Sequence, residues 1–301
     1  MAARKTLTRL SQPHLLGIEP LSVEDIELVL ATAEKYQTPP EASGRGESRP
    51  VPRLDLLRGK TLVLAFYEPS TRTRLSFEMA AQRLSMDVVN LALEASSVQK
   101  GESLLDTVKT LAAMRPDALV IRHPGSGVPH FLAQHTTVPI LNAGDGTHEH
   151  PTQALLDALT IRDHKRRLDN LKVAILGDIL HSRVARSNLH LLSKFGARLA
   201  LAGPPPLVPK GLEKLAPGVS VCRRLEEALE GAEVVMMLRV QLERQREPLF
   251  ASPREYARHY CLTPERLACA KPDAIVMHPG PFLRGIDIAG EVADSERSVI
   301  P

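Results

Sequence analysis

The chain contains no tryptophan, and tyrosine and phenylalanine bring its aromatic share to only 3%. So few ring faces leave little for stacking on nucleotide bases. A strong field of one sign is lacking as well. The 38 Lys and Arg stand against 35 Asp and Glu, a formal net charge of +3, with no block of like charge. No nucleic-acid partner is expected on these grounds. Cysteine is scarce: Cys222, Cys261 and Cys269 form no CxxC pair and are odd in number, so they read as reduced thiols. No apolar run approaches the ~18 residues of a membrane span, and no apolar segment comes after Met1-Ala2-Ala3-Arg4-Lys5. The expectation is a cytoplasmic protein with no membrane partner. Three nucleotide and hydrolase signatures are also missing. Gly144-Asp145-Gly146 is not a GxGxxG opening a helix, and there is neither a GxxxxGK[ST] loop nor a GxSxG elbow.

What is present is 43% apolar residues over 301 positions, enough for two domains with ordinary cores. Ser22-Val23-Glu24-Asp25 starts a capped, helix-periodic stretch to residue 36. Residues 38–55, rich in Pro, Gly, Ser and Arg, read as an exposed loop. Apolar runs near 60–67, 87–92, 117–122 and 138–142 then alternate with helical patterns near 72–85, 102–114, 127–135 and 150–164. A second series has strands near 171–178, 198–202, 233–238 and 273–277, with helices near 182–195 and 209–215. This alternation predicts the α/β class: two doubly wound domains with parallel sheets, joined by an interdomain helix at 150–164. The boundaries fall at 1–149 and 150–301. In such sheets ligands sit at the carboxyl ends of strands, and the polar motifs of this chain lie there. Their coincidence points to one shared cleft.

Ser70-Thr71-Arg72-Thr73-Arg74 comes three residues, Tyr67-Glu68-Pro69, after the run Thr61-Leu62-Val63-Leu64-Ala65-Phe66. It places three hydroxyls and two guanidiniums at a helix opening, where unpaired N–H groups already attract an anion. A compact phosphate suits it; the bland alternative is an N-cap serine with solvated arginines. Arg122-His123-Pro124 closes another strand, so Arg122 is either a cleft residue or a surface ion-pair partner. His150-Pro151-Thr152-Gln153 opens a helix, with His150 and Gln153 three apart. An imidazole and an amide together can grip a carbamoyl or carboxamide group. Metal binding by His148 and His150 is the alternative there, but the sequence shows no third ligand. Arg183 and Arg239 come after separate strands of the second domain. They suit a dicarboxylate, or form structural salt bridges. Ser96 to Ser103 is a polar loop whose Lys100 gains interest only if it reaches a site, one in a neighbouring subunit included. His278-Pro279-Gly280-Pro281 fixes the backbone after the last strand.

These segments, with Lys100-Gly101-Glu102 and Arg239-Val240-Gln241, occur in an order that resembles the aspartate/ornithine carbamoyltransferase family from about residue 14 to 292. Arg239-Val240-Gln241 points to its aspartate branch; the Ser-Met-Gly and His-Cys-Leu-Pro segments of the ornithine branch are not found. The resemblance implies carbamoyl phosphate and L-aspartate as substrates, the first bound by residues 1–149 and the second by residues 150–301. Ser70, Arg72, Thr73 and the backbone of Thr71 would hold the phosphate. Arg122, Thr73, His150 and Gln153 would hold the carbamoyl group. Arg183, Arg239 and Gln241 would hold aspartate, with Gly280 and Pro281 facing both substrates. Ser96 and Lys100 would enter from the adjacent subunit of a homotrimer. Arg72, Thr73, Lys100, Arg122, His150 and Gln153 would carry the catalysis, with no metal and no cofactor. Two rival readings are a carbamoyltransferase for another amine, and a weakly active chain serving as structural partner in a pyrimidine-pathway assembly. Three departures from the family stand out. Gly280 replaces a larger residue, the loop at 39–53 is long, and the family's last helix is expected beyond Ile300-Pro301, where this sequence has none.

Overall fold

In a computed structural model, residues 7–37, 52–91, 102–244, 249–250 and 252–300 are described. The chain divides into two compact units, Met1–Thr152 and Gln153–Pro301.

In the first unit, β1 (Thr61–Phe66), β2 (Asp87–Asn90), β3 (Ala118–His123) and β4 (Ile140–Asp145) form one sheet in the order β2-β1-β3-β4. Every pairing is parallel. Its helices are α1 (Val23–Tyr36), α2 (Thr71–Arg83), α3 (Leu104–Ala113) and α4 (Val128–Ala133). Successive strand side chains point to opposite faces, and both faces are covered. Val63, Ala65, Leu119 and Ile121 pack with Val108, Leu111 and Leu132 of α3 and α4. Leu62, Leu64 and Val120 pack on the other face with Ala81 of α2. Burial on two faces is why β1 and β3 read as unbroken apolar runs, whereas the edge strand β2 is mostly exposed.

The second unit is entered through α5 (Pro151–Lys165), which starts two residues ahead of the division. Its strands are β5 (Lys172–Leu176), β6 (Arg198–Ala202), β7 (Val219–Val221), β8 (Val234–Met237) and β9 (Ile275–Met277), in the order β7-β6-β5-β8-β9 and all parallel. Helices α6 (Arg183–Lys194), α7 (Leu225–Leu229), α8 (Pro253–Tyr260), α9 (Pro264–Leu267) and α10 (Gly290–Ala293) complete it. Each sheet therefore grows outward from its first strand in two directions. The reversal lies between β1 and β3 in one unit, and between β5 and β8 in the other. These are the topological switch points at which open α/β sheets take ligands.

Several expectations shift. The strand read to Asp178 ends at Leu176, because Gly177 has φ +116 and approaches Leu238 O so closely that a Cβ would lie 2.5 Å from it. The helix near 209–215 is only a 3₁₀ turn, Leu212–Lys214. Most of the loop at 38–55 falls outside the described residues, but Asp55–Leu57 is a 3₁₀ turn. The unpredicted β7 is three residues long with two exposed, so no apolar run marks it. Among the described residues, no helix is long and apolar enough to cross a membrane.

Candidate active site

The first switch point gathers the segments just beyond the carboxyl ends of β1 and β3. Ser70 occupies the N-cap position of α2 in extended backbone, yet its side chain makes no cap hydrogen bond. The contrast within the chain is sharp. Ser22, Ser103, Ser182, Ser252 and Thr263 each accept the N–H of the residue three positions on. In α2 the first intrahelical bond is Arg74 N to Ser70 O at 3.2 Å, so the N–H groups of Thr71, Arg72 and Thr73 have no acceptor within their own helix. The charge pattern is inverted as well. The first turns of α1 and α3 carry acidic residues, whereas α2 has none there and carries Arg72 and Arg74 instead. Cations at a helix N-terminus oppose the helix dipole. Together with the idle hydroxyl, they leave the electrostatics of this turn suited to an anion. Ser22→Ala is expected to cost about 1 kcal/mol of stability by chemical denaturation, the ordinary loss of a cap. Ser70→Ala should leave the denaturation midpoint unchanged, because Ser70 caps nothing.

Arg122, at the end of β3, is buried. Its guanidinium donates to Glu68 Oε1 at 2.9 Å and to Ala143 O at 3.0 Å. Glu68 lies in the turn between β1 and α2, and Tyr67 N donates to Arg122 O at 2.8 Å. The alternative of a surface ion pair is thus half right. The pair exists, but it is largely buried at the switch point. His150 is buried just ahead of α5, outside the helix that the sequence predicted to include it. Its Nε2 lies 3.5 Å from Thr73 Oγ1, which brings α2 and the start of α5 to one place.

Two carboxylates hold the segment that carries His150. Glu149 accepts from Ile18 N at 2.8 Å and Glu19 N at 3.2 Å. Asp145 Oδ1 accepts from Asn142 Nδ2 and Glu149 N; its Oδ2 accepts from Gly127 N and lies 3.0 Å from His148 Nδ1. His148 therefore pairs with Asp145, and its ring stacks edge-on with His130, not with His150. His130, Asp145 and His148 place ligand-type atoms within 4.8 Å of one another. Three N–H donors, from Gly127, Asn142 and Glu149, already occupy Asp145, and its remaining capacity faces His148.

The second switch point gathers the segments just beyond the carboxyl ends of β5 and β8. Arg183 is the first residue of α6, buried, with Ser182 as its cap and no acid in the first turn. Asp178 Oδ1 lies 2.9 Å from His181 Nδ1, and Asp178 Oδ2 accepts Gln241 N at 3.1 Å. Gln241 Nε2 donates to His181 O at 3.0 Å. Asp287 accepts Val240 N at 3.2 Å and Leu283 N at 2.8 Å. The backbone directly after Arg239 is thus tethered by two buried acids. Burial pushes Asp287 up to about 6, against the bonds from Leu283 and Val240 and the charge of Arg239. After β9, His278 Nδ1 accepts Gly280 N at 2.9 Å, and the Gly280–Pro281 peptide is cis. Gln153, on the first turn of α5, donates Nε2 to Asp157 Oδ1 at 2.9 Å.

Ser96 and Lys100 lie outside the described residues. The remaining predicted residues fall into two groups. Ser70, Thr71, Arg72, Thr73, Arg122 and His150 belong to the first unit; Gln153, Arg183, Arg239, Gln241, Gly280 and Pro281 belong to the second. Sequence reasoning missed Glu68, Asp145, Glu149, Asp157, Asp178 and Asp287 as the groups that hold them. Glu68 had a usable signal, an acid directly before Pro69-Ser70 at a strand end.

Two parallel α/β units, each presenting arginines where its strand order reverses, define the general class. Comparison supplies the family. Residues 13–163 match the carbamoyl-P binding domain of the aspartate/ornithine carbamoyltransferase family, and residues 169–301 match its Asp/Orn binding domain. The chain is 57% identical over 286 residues to the aspartate carbamoyltransferase catalytic subunit of Solibacter usitatus, covering 95% of this chain and 92% of that one. Its identity to the Sorangium cellulosum counterpart is 58% over 287 residues, 95% of this chain and 87% of the other. Among solved structures, aspartate transcarbamoylase from Trypanosoma cruzi in complex with carbamoyl phosphate superposes with TM-score 0.82 at 33% identity, covering 95% and 90%. The chain belongs to the aspartate/ornithine carbamoyltransferase family.

Proposed function

We propose that this chain transfers the carbamoyl group of carbamoyl phosphate to the amine of L-aspartate. The products are N-carbamoyl-L-aspartate and phosphate, an early step of pyrimidine biosynthesis. The observation that carries the reading is the opening of α2. A 13-residue helix begins with a serine that caps nothing and two arginines in its first turn, an arrangement that favours a bound phosphate. Residues 1–149, joined by His150 and Gln153, take carbamoyl phosphate, and the rest of residues 150–301 take aspartate. The names of the relatives support the aspartate branch, as does the tethered Arg239-Val240-Gln241 segment.

The aspartate nitrogen attacks the carbamoyl carbon, and negative charge builds on the carbamoyl oxygen. Thr73, Arg122 and His150 donate to that oxygen, and each such donor contributes roughly 10²–10³ in rate. The carbon–oxygen bond to phosphate then breaks. The leaving phosphate, held by Ser70, Arg72, Thr73 and the Thr71 N–H, accepts the proton that the amine gives up. His150 thus acts as a hydrogen-bond donor and not as the base. Arg183, Arg239 and Gln241 hold the two carboxylates, which offsets the repulsion between two anionic substrates and fixes the amine for attack. Carbamoyl phosphate binds first, because its charge and bulk complete the aspartate pocket. Ser96 and Lys100 come from the adjacent subunit of a cytoplasmic homotrimer. The bonds made and broken balance without a metal or an organic cofactor.

An acceptor panel tests the reading. Phosphate release from carbamoyl phosphate should proceed with L-aspartate at a kcat/KM at least about 10²-fold above that with ornithine or other amines, the margin of a charge-matched pocket. Faster release with another amine would overturn the aspartate assignment.

A further inference from the structure

We propose that Asp157 is a positioning residue that fixes which end of the Gln153 amide faces the substrate. The inference deepens the carbamoyl-transfer reading and rests on it. A glutamine amide offers a donor at one end and an acceptor at the other, and its two orientations are nearly isosteric. The partner decides between them. Asp157 lies one helical turn beyond Gln153 on α5, where residues four apart face each other. The carboxylate can only accept, so Gln153 Nε2 must turn inward to it, at 2.9 Å. Oε1 is then presented outward as an acceptor. A carbamoyl group carries an NH₂, which needs an acceptor of this kind.

The other Asp157 oxygen is spoken for by the same logic. Asn188 of α6 donates Nδ2 to Asp157 Oδ2 at 2.7 Å and to Val184 O at 3.1 Å. Both partners are acceptors, so the Asn188 amide is also fixed, and its Oδ1 stays buried without a partner among the described residues. Asp157 is itself 5% exposed. A buried carboxylate held between two amides is an expensive way to stabilise a fold. Burial pushes it up to about 6, and the bonds from Asn188 and Gln153 only partly oppose that. Between its ordinary 3.8 and about 6, the folded state holds a proton that the unfolded chain has released, so stability falls as pH rises through that window. The bonding groups around Asp157, Gln153 on its own helix and Asn188 on α6, carry no charge, so the carboxyl is the element of the trio that titrates. A protonated Asp157 gains a donor and no longer dictates the Gln153 orientation.

The experiment measures kcat and KM for both substrates in wild type, D157N, Q153A and the double variant, with wild-type turnover from the acceptor panel already established. D157N should lower kcat/KM for carbamoyl phosphate by about 10-fold or more, the cost of a wrongly presented polar group, while the KM for aspartate moves less than about 3-fold. Its melting temperature at pH 7 should be at or above wild type, since the buried charge is gone. The double variant should be no worse than Q153A, because Asp157 acts through Gln153. Losses that multiply in the double variant, or a D157N enzyme within about 2-fold of wild type, would overturn the proposal. A second measurement needs no change at Asp157. The wild-type to Q153A ratio of kcat/KM should shrink as pH falls through 6, with substrate titration cancelling in the ratio. A ratio constant from pH 8 to 5 would also overturn it.

Discussion

Arg72→Ala is expected to lower kcat/KM by about 10³-fold or more, with a melting temperature equal to or above that of the wild type. The two halves of this result have one cause. Arg72 is exposed in the first turn of α2, where no acidic residue offsets it and the serine at the cap position satisfies no backbone N–H. A cation in that place opposes the helix dipole, so its removal does not weaken the folded state. What it removes is a bidentate, permanently charged donor for a phosphate that must be held while charge moves onto it. Steady-state kinetics and a thermal melt on one preparation check both halves. An active Arg72→Ala enzyme would contradict the phosphate role, and an unfolded one would contradict the idea that this turn is built for a ligand.

Arg239→Ala is expected to raise the KM for aspartate about 10²-fold while the KM for carbamoyl phosphate changes less than about 3-fold. Loss of a charge-assisted pair to a carboxylate is worth about 3 kcal/mol, and 1.4 kcal/mol is about tenfold. The selectivity comes from how the segment is held. Val240 N is anchored on Asp287 and Gln241 N on Asp178, so the backbone keeps its course when the Arg239 side chain is cut back. Only the carboxylate grip is lost. Initial-rate measurements with each substrate varied in turn decide the matter. Equal increases in both KM values would show general damage, and no increase for aspartate would remove Arg239 from its pocket.

Much of this architecture is legible because parallel strands covered on two faces must be apolar throughout. The polar residue that ends each run therefore announces a carboxyl end. Arg122, Asp178 and Arg239 stand out in this way, and Ser70 comes four residues after Phe66. The short elements of the second unit are not legible for the opposite reason. β7 has two of its three residues exposed and leaves no periodic mark, and the stripe of α8 is only eight residues long with Tyr256 alone buried. The supporting acids escape sequence reasoning on different grounds. Asp145 takes its partners from Gly127 and Asn142, and Asp157 takes one from Asn188, 31 residues away. In sequence each is an unremarkable carboxylate in a loop or on a helix. Distant partners such as Asn188 and Gly127, added to local ones such as Gln153 and Asn142, turn it into the anchor of a neighbouring motif. Helix 150–164 shows the same limit at finer scale. The Pro151 start and the helix-forming residues after it give its extent nearly correctly, yet His150 sits ahead of the first turn, held by the Glu149 and Asp145 bonds and not by helix geometry.

The most direct test of the central claim is a crystal structure with a bisubstrate mimic that joins a phosphonate to a dicarboxylate. The account places the phosphonate against Ser70, Arg72 and the N–H groups of Thr71 and Thr73, with the carboxylates on Arg183 and Arg239. A mimic bound with its phosphonate away from the opening of α2, or with those arginines turned from it, would contradict the account.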